Sequence, residues 1–212
     1  MIAATAALAR LREGNARFVQ NQTTGRTLTI NAPGNDLVAG QEPFAIILGC
    51  SDSRVPAELV FDQGFGDLFV IRVAGNIVAP SQVGSVEFAA SKFGTRLVVV
   101  LGHSQCGAIG ATLDELHGVA TTESRNLRSI VDRVRPSLET LLEMPGRPDR
   151  QTLIDEGVRA NVRASANHLR HGSDLLENLI RSDGLLIVGA VYSLETGLVE
   201  FFDGVPVPNK AR

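Results

Sequence analysis

Two short runs, Cys50-Ser-Asp-Ser-Arg54 and His103-Ser-Gln-Cys106, carry the residue types of this chain that could do chemistry. They hold both of its cysteines, one of its four histidines, and an Asp and an Arg two residues apart. Zinc accepts thiolate and imidazole ligands in tetrahedral geometry. The glycine-flanked loop Gly102–Gly107 and the run after Gly49 would together supply Cys50, His103 and Cys106. Three protein ligands is the number found at catalytic zinc, with the fourth position left to water or to Asp52. His117, His168 and His171 fall on expected helices among polar neighbours and read as surface residues. The plainer alternative makes Cys50 and Cys106 buried apolar cysteines and His103 a core histidine. It gives no reason for two such runs to occur together, each just after a strand.

Charge constrains what such a site could do. Two thiolates cancel the +2 of zinc, so bound water loses its proton less readily than at a three-histidine site. A nearby acceptor would help, and Asp52, two residues from Cys50, could supply one. The same carboxylate could bind the metal itself and close the fourth position. Arg54 opposes this, because a planar guanidinium pairs bidentately with a carboxylate and would hold it off the ion.

Both runs need rigid elements to bring them together. Phe44–Leu48 and Leu97–Leu101 are apolar runs without alternation, the pattern of strands covered on both faces. Leu68–Ile71 and Leu185–Val191 read as two more such strands. Leu198–Phe202 reads as a fifth, antiparallel through the tight turn at Glu195-Thr-Gly197. Helices are expected over 3–20, 56–60, 81–93, 107–117, 123–144 (bent near Pro136), 149–171 and 173–181. Strands alternating with helices predict an α/β fold of three layers. Its sheet is mainly parallel, with four strands plus an antiparallel fifth and helices on both faces. Sites in such sheets lie beyond the carboxyl ends of the strands, where both runs fall. Residues 1–212 read as one zinc-enzyme domain, in which 1–40 form an N-terminal helix and arm that packs outside its own core, on a partner subunit.

Composition excludes some functions. A formal charge of −3 gives no electrostatic reason to expect nucleic acid. No apolar run approaches the roughly 20 residues of a membrane span. The first twenty residues carry Arg10, Arg12, Glu13 and Arg17 and lack the pattern of a secretory signal. Two cysteines in a chain of this size point to a reduced compartment and a metal role. The expected location is cytoplasmic.

At the two runs the sequence resembles the β-class carbonic anhydrases. The likeness covers Cys50–Arg54, Phe69-Val-Ile-Arg-Val-Ala-Gly-Asn76 and Gly102–Gly107, and most of residues 40–202 align in order. It implies reversible hydration of carbon dioxide to bicarbonate and a proton, with one zinc per chain on Cys50, His103 and Cys106. Asp52 and Arg54 would be the catalytic dyad of a zinc-hydroxide mechanism. It also implies self-association as a homodimer or homotetramer, with active sites near the subunit interface. Gln41, Phe69 and Phe88 match positions that line the substrate pocket, with Phe88 where related members carry tyrosine. The Gly107 backbone N–H could steady a developing oxyanion. A bicarbonate-inhibited subgroup uses Trp, Arg and Tyr in a second pocket. Arg72 and Tyr192 match here, but Ile47 stands at the Trp position, which favours the open, uninhibited form.

Three other readings compete. Hydrolysis of carbon disulfide or carbonyl sulfide could occur at the same zinc. A metal-free enzyme could use Cys50 as nucleophile and His103 as base, but would leave Cys106 without a role. A non-catalytic zinc-stabilised binding protein would not need the Asp52 and Arg54 pair.

Overall fold

The protein was analysed as a computed structural model that describes residues 2–22, 38, 40–122, 124–143 and 149–206. Five strands form one sheet: β1 (Ala45–Gly49), β2 (Leu68–Arg72), β3 (Leu97–His103), β4 (Leu186–Tyr192) and β5 (Val199–Asp203), in the order β2-β1-β3-β4-β5. The first four are parallel, and β5 runs antiparallel to β4 with a register shift at Gly189/Ala190. The helices are α1 (Ala4–Val19), α2 (Ala57–Val60), α3 (Pro80–Lys92), α4 (Gly107–Leu116), α5 (Arg125–Leu142), α6 (Arg150–His171) and α7 (Asp174–Ser182). A 3-10 turn spans Ala74–Asn76.

Strand alternation divides the core into two faces. Ile47, Val99 and Leu101 pack with Leu8, Leu11 and Phe61 on the side of α1 and α2. Ile46, Leu48, Val98 and Val100 pack on the other side with Val86 and Ala89 of α3, Val162 and Leu169 of α6, and Leu176 of α7. Every residue of β1 and β3 is buried, which is why both lack polar alternation. A third cluster lies beyond the carboxyl ends of the strands, where Ile109 and Leu113 of α4, Val134 and Leu138 of α5, and Ile154 and Val158 of α6 surround Cys50 and Cys106. Side-chain caps fix the starts of three helices: Ser124 for α5, Asp149 for α6 and Ser173 for α7.

The N-terminal helix does not stand off its own core. Ala7, Leu8 and Leu11 of α1 are buried against the sheet, and Gly14 lies where an added Cβ would meet the Phe61 carbonyl oxygen at 1.8 Å. Asn15 stitches the helix down. Its amide donates to the carbonyls of Val60 (3.1 Å) and Gly197 (2.8 Å), and its oxygen accepts from the Val199 N–H (2.9 Å). Arg17 pairs with Asp62 at 2.6 Å. The apolar face of α1 is therefore covered by this chain itself. A partner subunit touching α1 would meet its other face. Most of the expected arm, 23–37 and 39, lies outside the described residues.

From β1 the chain moves to β2 on one side, and from β3 to β4 on the other. The crevice at which the connections diverge is thus between β1 and β3, the usual place for a site in an open parallel sheet.

Candidate metal centre

Cys50 is the first residue after β1, and His103 is the last of β3. Gly49 lies beside Leu101 in the register, so the two strand ends leave the sheet as neighbours. Gly102 permits this, since an added Cβ would come within 2.7 Å of Val162 and 3.0 Å of Val158 on α6. The chain then needs only Ser104 and Gln105 to return Cys106 to the same point, just before α4 begins at Gly107.

One donor atom from each of Cys50, His103 and Cys106 lies within 4.8 Å of the others, and all three residues are buried. The His103 Nδ1 sits 2.9 Å from the Ser104 carbonyl, to which it can donate. That leaves the Nε2 lone pair free, and Nε2 is buried with no hydrogen-bond partner among the described residues. A buried acceptor is costly without a partner. Two sulfurs and an unpartnered imidazole nitrogen, with the other ring nitrogen fixed by a carbonyl, suit a zinc ion.

The two sulfurs share a hydrogen bond and are unequal. The Cys106 thiol, with help from the Gly75 N–H, pushes the Cys50 pKa well below the usual thiol range despite burial. Cys106 is pushed up, because it holds the shared proton and its own charge would face the Cys50 thiolate in a buried site. The Gly75 N–H lies 3.3 Å from the Cys50 sulfur. Gly75 takes φ 70°, and its turn is held from α6, where Asn161 donates to the Gly75 carbonyl (2.7 Å) and Ser165 to that of Asn76 (3.1 Å).

Asp52 and Arg54 pair in the bidentate manner the sequence suggests, with Nε to Oδ1 at 2.9 Å and a terminal nitrogen to Oδ2 at 2.7 Å. The Arg54 backbone N–H adds a third bond to Oδ1 at 3.0 Å. These hydrogen bonds hold the Asp52 carboxyl well below the usual carboxylate range. Its Oδ2 is 3.9 Å from the His103 Nε2, beside the donor cluster. Arg72 completes the loop by donating to the carbonyls of Cys50 (3.0 Å) and Asp52 (2.5 Å). Tyr192 and Ile47 lie buried in the core on the α1 side.

Three expected pocket residues are elsewhere in this chain. Phe69 pairs with Ile46, four residues before Cys50, a span of about 13 Å along a strand. Phe88 projects from α3 and is 53% exposed, its ring 6.2 Å from Phe69 and 5.7 Å from Phe93. Gln41 is exposed ahead of the amino end of β1. None of the three lies in the cluster around Cys50 and Cys106. His117, His168 and His171 are exposed, as their neighbours suggest. Sequence reasoning passed over Gly75, Asn161 and Ser165 as supports of the Cys50 loop. Their contacts join distant parts of the chain and have no local signature.

Comparison with known proteins agrees with this arrangement. The profile of the carbonic anhydrase family matches residues 45–199. The chain is 38% identical over 192 residues to carbonic anhydrase 2 of Mycobacterium tuberculosis, covering 91% of this chain and 89% of that protein. Among solved structures it is similar to a β-carbonic anhydrase of Aspergillus fumigatus, with TM-score 0.73, 25% identity, and coverage of 95% of this chain and 91% of that one. A Coccomyxa β-carbonic anhydrase, solved with acetazolamide, gives TM-score 0.71 and 25% identity over 92% of this chain and 86% of that one. The chain belongs to the carbonic anhydrase family, in its β class. These enzymes are lyases acting on carbon dioxide and bicarbonate.

Proposed function

We propose that this chain hydrates carbon dioxide reversibly to bicarbonate and a proton at a zinc ion held by Cys50, His103 and Cys106. The observation that carries the reading is the convergence of three buried donor atoms within 4.8 Å, one of them on an imidazole whose Nε2 has no hydrogen-bond partner among the described residues. Bound there, zinc would supply the Lewis acidity that makes water a nucleophile near neutral pH.

The protein's own groups do the rest. Asp52 stays ionised because Arg54 holds its pKa down, so it accepts a hydrogen bond from the attacking water and orients it. So low a pKa makes Asp52 a poor store for the proton, which passes on to solvent and buffer. Arg54 keeps the carboxylate off the fourth coordination position; without it, Asp52 is free to close the site. The Gly107 N–H, at the first residue of α4 where helix N–H groups lack intrahelical partners, would steady the negative charge that develops on the substrate oxygen.

Carbon dioxide is small and uncharged, so its cleft need only be dry and well placed. One chain does not complete that cleft. Gln41, Phe69 and Phe88 complete it from a second copy in a dimer, which two dimers can extend to a tetramer. The half-exposed Phe69 on edge strand β2 and the exposed Phe88 beside it support this association. Stopped-flow hydration with zinc measured on the same sample tests the reading. One zinc per chain with rapid hydration is expected. Full zinc loading without hydration near neutral pH would overturn it, and assays with carbonyl sulfide and carbon disulfide would then identify the competing hydrolase.

A further inference from the structure

We propose that Glu195, on the turn between β4 and β5, is a positioning residue for the metal centre. Its carboxylate holds the two-residue link that sets His103 and Cys106 against one another. The proposal rests on the zinc reading above.

The link consists of Ser104 and Gln105, and Gln105 takes φ 54°, a left-handed conformation that is costly for a residue with a side chain. Such a conformation persists where its surroundings impose it. Here the surroundings converge on one carboxylate. The Ser104 hydroxyl donates to Glu195 Oε2 at 2.8 Å, and the Gln105 amide donates to Oε1 at 2.7 Å. The Ser193 hydroxyl donates to Oε2 at 3.0 Å. Ser104 is also gripped from the same turn, since its hydroxyl accepts from the Leu194 N–H at 2.9 Å and its own N–H donates to the Tyr192 carbonyl at 2.9 Å. The Ser104 carbonyl in turn faces the His103 Nδ1 and so sets the angle of the imidazole. The path from Glu195 to the donor atoms is thus two hydrogen bonds long on the His103 side.

The clamp has a firm footing. Past Glu195, the turn is tied to α1 by Asn15, through the Gly197 carbonyl and the Val199 N–H. The charge of the carboxylate is secure as well. Ser104, its own backbone N–H and Ser193 push the Glu195 pKa down to about 2. A group so acidic holds hydrogen bonds near neutral pH and is a poor carrier of protons. Glu195 is exposed, so its removal should leave the core intact. An ordinary surface carboxylate at this position would have no influence on metal binding.

The test compares wild type, Glu195→Ala, Glu195→Gln and a control, Glu200→Ala, which removes a neighbouring surface carboxylate on β5. Zinc affinity is measured by chelator competition, and the coordination sphere by the absorption spectrum of the cobalt(II)-substituted proteins. Glu195→Ala should bind zinc about 10-fold more weakly, the lower end of the range for losing a direct outer partner of a ligand because Glu195 acts one bond further out, and should shift its cobalt spectrum. Glu195→Gln keeps an oxygen for the two serines but turns an amide toward Gln105, so it should fall between. The control should match wild type, and the thermal midpoints of the metal-free proteins should coincide. Unchanged affinity and spectrum in Glu195→Ala overturn the proposal while leaving the zinc reading in place. So does a weakened affinity accompanied by an equally destabilised metal-free protein and an unshifted spectrum. Should Glu195→Ala fail to fold, Glu195→Gln decides by the same two measurements. A wild-type protein that binds no zinc overturns both readings.

Discussion

Beside the donor cluster Asp52 and Arg54 oppose one another, and each yields a test. Asp52 lies beside the donor cluster, its Oδ2 3.9 Å from the His103 Nε2, and is held by two side-chain bonds and one backbone bond from Arg54. Replacing Arg54 by Ala should leave zinc content unchanged but abolish hydration, because the freed carboxylate occupies the position the attacking water needs. Asp52→Asn replaces the charged acceptor by a neutral amide and frees no carboxylate to compete for the metal. It should lower kcat/KM by about 10²-fold, the scale of a lost positioning contact. Stopped-flow assays with metal analysis distinguish the two variants from simple metal loss. If Arg54→Ala turned over at the wild-type rate, the restraining role assigned to that residue would be wrong.

Among the helices and strands, α1 anchors the turn between β4 and β5 and α6 holds the Gly75 turn, and they differ in how readable they are. The five strands and the starts of α3, α4, α6 and α7 follow from apolar runs, glycines and capping residues that act within a few positions. The docking of α1 does not, because it depends on Gly14 meeting a backbone carbonyl of Phe61, far along the chain. Periodicity shows which face of a helix is apolar but not which sheet covers it. Likewise Phe69 and Phe88 are legible as aromatic positions, while their distance from Cys50 depends on strand register and direction. Gly14→Ala should destabilise the protein by at least the 1–3 kcal/mol typical of overpacking, since a carbonyl cannot rotate away as a side chain can, and urea unfolding would measure it. Asp149 caps α6, and the Thr152 N–H lowers its pKa in the folded protein. A carboxyl with a depressed folded pKa stabilises above its unfolded value, about 3.9 for Asp, and stops doing so as pH falls through the folded value. Asp149→Ala should therefore melt below wild type near neutral pH, and the gap should close progressively in acid.

For the molecule as a whole, the proposal that a second copy supplies Gln41, Phe69 and Phe88 to the cleft makes assembly and activity one question. Phe88→Ser should weaken self-association in sedimentation velocity and reduce hydration together, with zinc still bound. A monomeric, fully active Phe88→Ser protein would remove the second copy from the cleft. Metal binding acts at the same scale, since any ligand of the folded state alone adds about 2.7 kcal/mol at a hundredfold excess over its Kd. Chelation should accordingly lower the melting temperature. Cys50 and His103 stand at the tips of β1 and β3, strands that pair side by side although β2 and α3 intervene in the chain. A refolding polypeptide can assemble the full donor set only after those two strands have found each other. The rate at which it withdraws zinc from a fluorescent indicator would then serve as a clock for the closing of the sheet's centre.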